Sequence, residues 1–208
     1  MSSIHKITYE PTYNGKNILT DKERGLGCKE NILDRIDGLL DHTTQKHNKV
    51  FCIRMDLRFP KYYQVPADNQ HISKFISKFN RYFKRQGVDP YYLWVREQSR
   101  EKHQHYHLMV LVDGNKMQFP HKLIEKAEEL WNSTLNIDGQ GLVDHCTKSR
   151  SGEVQVNSYR MRRNDENYGQ VRDDCFHRCS YLAKVNTKGN TPKGIREVGS
   201  SEVPKKLD

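Results

Sequence analysis

The sequence predicts an α+β fold, a central antiparallel β-sheet flanked by helices. Three observations predict it. Apolar runs of period two alternate with longer segments whose apolar residues recur at helical spacing. The two best strand candidates, Tyr91–Glu97 and His105–Val112, are joined by a short polar stretch, which suits a hairpin. No Gly-rich phosphate loop or regular βαβ spacing argues for a parallel sheet.

Residues 1–20 carry polar and Gly/Asn turn signals and read as irregular. Between Lys29 and His47, Ile32, Leu33, Ile36, Leu39 and Leu40 form one helical stripe. Val50–Phe59 alternates: Ile53, Met55, Leu57 and Phe59 share one parity, Arg54, Asp56 and Arg58 the other, so a half-buried strand with one charged face is expected. Asp68–Gln86 reads as a helix with Phe75, Ile76, Phe79 and Phe83 inward, stopped by Gly87 and Pro90. Tyr91–Glu97 is rich in aromatic and β-branched residues, as a strand is. After the second hairpin strand, Asp113-Gly114-Asn115 turns the chain. Pro120–Leu135 is the next helix, with Leu123, Ala127, Leu130 and Trp131 as its stripe. Leu142–Cys146 and Val154–Asn157 are short strand candidates. The polar segment Tyr159–Asp174 reads as a loop, and Cys175–Val185 as a last helix. From Asn186 onward Gly, Pro, Ser and charged residues dominate, and residues 189–208 are expected to be a basic, disordered tail.

Of the 208 residues, 35% are hydrophobic and 29% charged, and 11 Tyr, 7 Phe and 2 Trp can build a core. Lys plus Arg number 35 against 26 Asp plus Glu, a formal net charge of +9. Such a surface concentrates polyanions, and nucleic acid is the first partner to consider. No stretch approaches the ~20 apolar residues of a membrane helix, and Met1–Glu10 lacks the apolar core of a secretory signal, so a cytoplasmic protein without a membrane partner is expected. The five scattered cysteines (Cys28, Cys52, Cys146, Cys175, Cys179) suggest reduced thiols. Cys175 and Cys179 with His177 between them hint at a metal, but the spacing is not that of a paired zinc knuckle.

The sharpest chemical feature is His105-Tyr106-His107, followed by an apolar run. On a strand, residues i and i+2 share a face, so both imidazoles can reach one divalent ion. Ten histidines make such a pair cheap, and His103-x-His105 is a second match. Position adds to it. A hairpin turn centred near Glu101 puts Glu97 across from the histidines, where cross-strand neighbours sit ~5 Å apart. Glu97 is the third ligand we assign, and His103 competes for that place by parity. Two imidazoles and a carboxylate with open positions make a Lewis-acid site.

The second feature is Tyr181-Leu182-Ala183-Lys184. Residues three apart on a helix face the same way, so phenol and ammonium can meet one phosphate. A phenol of pKa ~10 is a poor nucleophile at neutral pH, and a neighbouring cation favours its anion. Tyr13-Asn14-Gly15-Lys16 matches the same pattern in a turn that would not align the pair.

Together, the His-hydrophobic-His strand and the later Tyr-x-x-Lys resemble the HUH endonuclease superfamily. Trp94-Val95-Arg96-Glu97-Gln98, His105-Tyr106-His107-Leu108 and Ser180-Tyr181-Leu182-Ala183-Lys184-Val185 are similar to its inovirus-type replication initiators, of filamentous phages and bacterial prophages. The resemblance spans roughly residues 48–188, leaving residues 1–47 as an N-terminal extension with one helix. It implies an antiparallel, RRM-like core with the histidine pair on a central strand, and Mg²⁺ or Mn²⁺ held by His105, His107 and a third polar residue. It implies Tyr181 as the nucleophile that makes a 5′-phosphotyrosine link, and Lys184 orienting the phosphate. Arg54 and Arg58, in a strand similar to the first conserved one of these initiators, are candidate DNA contacts, with Arg96 and Lys188. The activity so implied is site-specific nicking and religation of single-stranded or hairpin DNA at a replication origin, in a bacterial host cell supplying helicase and polymerase. One tyrosine occupies the motif where some initiators carry two. A transposase or relaxase with the same chemistry, or a DNA-binding regulator without nicking, remain as alternatives. Tyr159 and Tyr168 could stack on DNA or be plain loop tyrosines.

Overall fold

The computed structural model describes residues 6–98, 104–149, 151–185 and 191–203. Short strands β1 (Ile7–Thr8), β2 (Thr12–Tyr13), β3 (Lys16–Asn17) and β4 (Cys28–Lys29) lead into helix α1 (Glu30–Lys46). Then come β5 (Lys49–Arg58), α2 (Gln70–Arg85), β6 (Tyr91–Glu97), β7 (His105–Asp113), α3 (Pro120–Leu135), β8 (Val143–Asp144), β9 (Ser158–Arg162), α4 (Tyr168–Cys179) and β10 (Val198–Ser200). The predicted α+β class is what the chain adopts. β10, β6, β7 and β5 lie side by side, and β8 and β9 share the far edge of β5, every pairing antiparallel.

Strand parity sorts the core into two layers. Phe51, Ile53, Met55 and Leu57 of β5, with Tyr106, Leu108, Val110 and Val112 of β7, meet Phe75, Phe79 and Phe83 of α2 and Leu123, Ala127 and Trp131 of α3. Residues of the other parity, Val50, Cys52, Leu93, Val95, Met109 and Leu111, pack under α1 and α4. The helices end where the backbone leaves helical space: Asn136 caps α3 in the left-handed region (φ 56°), and Gly87 (φ 69°) follows α2. Among the described residues no helix is long and apolar enough to cross a membrane.

Four expectations need correction. The charged face of β5 is not solvated: Arg54 and Asp56 are buried, because α4 and the turn after it close over them. The polar segment 159–174 is not a loop but β9 and the first half of α4. β9 buries only Met161 fully, and α4 is tied to α1 by Arg172, which donates to Asp37 and Asp41, so ion pairs replace much of the apolar stripe a sequence reading seeks. Val154–Asn157 makes only an isolated bridge, Lys148 with Val154, before β9 begins.

The expected disordered tail instead holds β10, the sheet's edge strand beside β6. Gly199 is there for contact rather than flexibility: a Cβ on it would come within 2.5 Å of the Trp94 ring. Glu197 anchors the strand by accepting from Lys29 Nζ and, through its carbonyl, from Arg96 N. α1, outside the predicted span, is likewise one of the layers of the core.

Candidate metal and phosphate site

The hairpin register does what parity promises. Glu97 pairs with His105 and Val95 with His107 across β6 and β7, while Asp56 pairs with His107 and Arg58 with His105 across β5 and β7. Glu97, His105, His107 and Asp56, all of one parity, therefore converge at one end of the sheet, on the face covered by α4. His107 is 2% exposed; its Nε2 lies 2.6 Å from Glu97 Oε2, and His105 Nε2 lies 3.8 Å from Glu97 Oε1. Ligand atoms of Glu97, His105 and His107 all fall within 4.8 Å of one another.

These residues fit a divalent ion. The donor set is two imidazole nitrogens and one carboxylate, three protein ligands that leave coordination positions for water or phosphate. His107 is also anchored from behind. Its Nδ1 lies 2.5 Å from Asp56 Oδ1, which holds the ring with Nε2 aimed at Glu97 and His105. Arg54 NH2 donates to the same Asp56 oxygen at 3.1 Å. Burial by itself raises the Asp56 pKa, but the His107 imidazole and the Arg54 guanidinium hold the carboxyl well below the usual range. Asp56 is an anion positioned to hold a histidine.

Tyr181 reaches this cluster from the other side. The sequence places it on a helix; it sits on a single 3₁₀ turn, Ser180–Ala183, that follows α4. Tighter winding brings residues i and i+3 into line, so the Tyr181/Lys184 pairing survives the change of helix type. The phenol ring stands edge-on to His107, 5.2 Å between centroids. Arg54 covers its face with the guanidinium carbon 4.2 Å from the centroid, and Lys184 Nζ is 5.2 Å from it. Burial, followed by weaker influences that include repulsion from Arg54 and Arg178, lowers the Lys184 pKa. The turn is fixed by the N-terminal segment. Leu19 N donates to Ser180 Oγ at 2.8 Å, Ser180 Oγ donates to His177 O, and Cys28 bridges to Lys184.

Tyr181, Lys184, Glu97, His105 and His107 thus line one open pocket of about 740 Å³, together with Arg54, Asp56 and Arg58. The other assignments divide. Arg58 lies at the rim, half exposed and paired with Asp144 Oδ2 at 2.5 Å, while Arg54 is buried behind Tyr181 and paired with Asp56. Arg96 is not at the pocket. It has the parity of Tyr106, points to the opposite face, is 1% exposed, and donates to the carbonyls of Ala67 and Asp68. Its one-residue offset from Glu97 already carried that answer. Lys188 and His103 fall outside the described residues. Tyr159 and Tyr168 belong to β9 and α4 and pack at the edge of the α1/α4 core.

Two contributors went unassigned in the sequence. Asp56 had a signal, its parity with Arg54 and Arg58, but its histidine partner needs the strand order. Arg178 had none: from α4 it reaches Asn157 Oδ1 (2.8 Å) and Gln155 Oε1 (2.7 Å), adding a cation to the pocket wall.

Comparison with known proteins places this chain in a family. The chain is 26% identical over 187 residues to "Uncharacterized protein YfjJ" of Escherichia coli (strain K12), covering 74% of this chain and 86% of that protein. The family described as "YagK/YfjJ C-terminal domain" matches residues 8–201, a span that takes in α1, the whole sheet, the Tyr181 turn and β10. The protein belongs to the YagK/YfjJ C-terminal domain family.

Proposed function

We propose that this protein is a metal-dependent tyrosine endonuclease of the HUH type, which nicks single-stranded DNA, holds the 5′ end covalently and rejoins it, in the initiation of rolling-circle replication. One observation carries the reading: a half-buried phenol, flanked by Arg54 and Lys184, stands beside two imidazoles and a carboxylate that can hold one divalent ion. A structural tyrosine needs no such neighbours. The replication role rests on the resemblance of the motif strings to inovirus-type initiators.

Glu97, His105 and His107 would hold Mg²⁺ or Mn²⁺, with Asp56 orienting His107. Bound there, such an ion polarises a non-bridging phosphate oxygen and offsets developing charge. The chain's own groups do the rest. Arg54 over the ring and Lys184 beside it favour the phenolate of Tyr181. Its oxygen bonds to phosphorus, the bond from phosphorus to the 3′ oxygen breaks, and that oxygen takes up a proton to become a free 3′-hydroxyl. The phosphotyrosine keeps the energy of the broken ester, so the reverse attack reseals the strand. Arg58 at the rim and Arg178 in the wall suit flanking phosphates. The pocket opens on a basic protein, and single-stranded DNA, free of pairing and stacking, is the substrate class that reaches it at least cost.

The test is a denaturing gel after incubation with single-stranded origin-type oligonucleotides and Mn²⁺. Wild type is expected to give a covalent protein–DNA band. Tyr181→Phe should lose it by at least ~10³-fold, as removal of a nucleophile does, while retaining DNA binding. An undiminished band in the variant overturns the assignment.

A further inference from the structure

Behind the pocket lies a second cluster that the nicking reading does not use. Cys52 on β5 and Cys175 and Cys179 on α4 bring their sulfurs within 4.8 Å of one another. Cys175 and Cys179 are one helical turn apart and share a face of α4. Cys52 meets them from the strand, two residues before Arg54 and on the same side of the sheet. All three are free thiols, 0–1% exposed. His177, between the two helical cysteines in sequence, is not one of the cluster.

We propose that Cys52, Cys175 and Cys179 form a second metal site, an all-sulfur cradle for a thiophilic d¹⁰ ion, zinc or copper(I). Metal–sulfur bonds of about 2.3 Å put the sulfurs of one coordination shell roughly 4 Å apart, a spacing the cluster accommodates. Thiolates without nitrogen or oxygen donors select zinc and copper(I) over magnesium, manganese and calcium, so the site does not compete with Glu97, His105 and His107 for the same ions.

The surrounding charge fits the same assignment. Loading displaces thiol protons, and three thiolates around Zn²⁺ or Cu⁺ leave a net negative charge in the core. One cation without a carboxylate partner lies close enough to help balance it. Among the described residues, Arg178 donates only to neutral acceptors, Asn157 Oδ1, Gln155 Oε1 and the Cys146 carbonyl, so no carboxylate offsets its charge. Arg54 is buried close by too, with Nε lacking a hydrogen-bond partner, but its NH2 already pairs with Asp56 Oδ1. A metal here ties α4 to β5 immediately before the Tyr181 turn, since Cys179, Ser180 and Tyr181 are consecutive.

The experiment is anaerobic titration of the full chain, in a non-thiol reductant, with Cd²⁺ as a zinc surrogate and separately with Cu⁺. The readouts are thiolate-to-metal charge-transfer absorption and the sulfur shell in X-ray absorption. One equivalent bound by three sulfurs is expected in wild type, in Cys28→Ser, in Cys146→Ser and in His105→Ala/His107→Ala. Cys52→Ala, Cys175→Ala and Cys179→Ala should each lose the signal while keeping the wild-type far-ultraviolet circular dichroism. The affinities of the two arms, measured by competition with chelators, assign zinc or copper(I). Folded wild-type protein that shows no thiolate band with either ion overturns the proposal without any variant, and so does a band that survives in Cys52→Ala.

Discussion

Strands β5 and β7 carry two side-chain sets that differ by one residue in parity and by everything in use. One set, Phe51, Ile53, Met55 and Leu57 with Leu108, Val110 and Val112, is closed by the phenylalanine row of α2 and by Leu123, Ala127 and Trp131 of α3. The other begins apolar at Val50 and Leu111 and turns to sulfur and charge toward one end: Cys52, Arg54, Asp56, His107, His105. The first face has only to exclude water. The second must keep buried charges paired, which it does in a chain: Arg54 to Asp56, Asp56 to His107, His107 to Glu97. A rigid apolar layer on one side makes it possible to hold a polar constellation on the other, because both hang from the same backbone.

The comparison implies that damage to the two faces should separate. The largest effect on stability is expected from Phe79→Ala. Phe79 is 1% exposed and packs between the tilted rings of Phe75 and Phe83. Truncation should cost about 3–5 kcal/mol in denaturant unfolding, while adduct formation per folded molecule stays near wild type. If the adduct yield of the folded fraction collapses as well, the faces are not independent.

Asp56→Asn tests the opposite face. The amide keeps the size of the side chain but cannot accept from both His107 Nδ1–H and Arg54 as an anion does. Loss of such a partner behind a ligating histidine should weaken Mn²⁺ binding by about 10–100-fold, or ~1.4–2.7 kcal/mol. Titration calorimetry measures it. His107→Ala should lose more, and the two changes should be far from additive, since Asp56 acts through His107. An Asp56→Asn protein that binds Mn²⁺ like wild type would remove Asp56 from the site.

How much of this was legible depended on how each residue is connected. Period-two alternation found β5, aromatic and β-branched content found β6, the polar turn before β7 marked the hairpin, and the i, i+2 rule with that hairpin brought out Glu97, His105 and His107, because all three lie on adjacent strands. Asp56 comes from a strand whose neighbour only the topology reveals, and Cys52 meets Cys175 and Cys179 across most of the chain, where spacing says nothing. β9 and α4 escaped because Arg172–Asp37 and Arg172–Asp41 ion pairs do the work that an apolar stripe does elsewhere. β10 escaped because Gly199 reads as flexibility in one dimension and as contact with Trp94 in three. Arg96 was a different kind of miss. Its parity was on the page, but the pull of its basic charge toward DNA outweighed it.

The smallest expected effect distinguishes the two arginines at the ends of these faces. Arg58 is half exposed at the pocket rim, and its pair with Asp144 is of the exposed kind, worth no more than about 1 kcal/mol to stability. Arg58→Ala should therefore unfold almost like wild type. If the rim contacts a phosphate, its log–log dependence of DNA affinity on salt should become shallower by about 0.7, the value for one contact on a single strand. Arg96→Met should do the reverse. It strands the Ala67 and Asp68 carbonyls, costing about 1–3 kcal/mol, and leaves the salt slope unchanged, because a guanidinium buried on the apolar face touches no nucleic acid. A slope that falls with Arg96→Met and not with Arg58→Ala would place the DNA on the wrong side of the sheet for Tyr181 and would break the division of the two faces at its functional end.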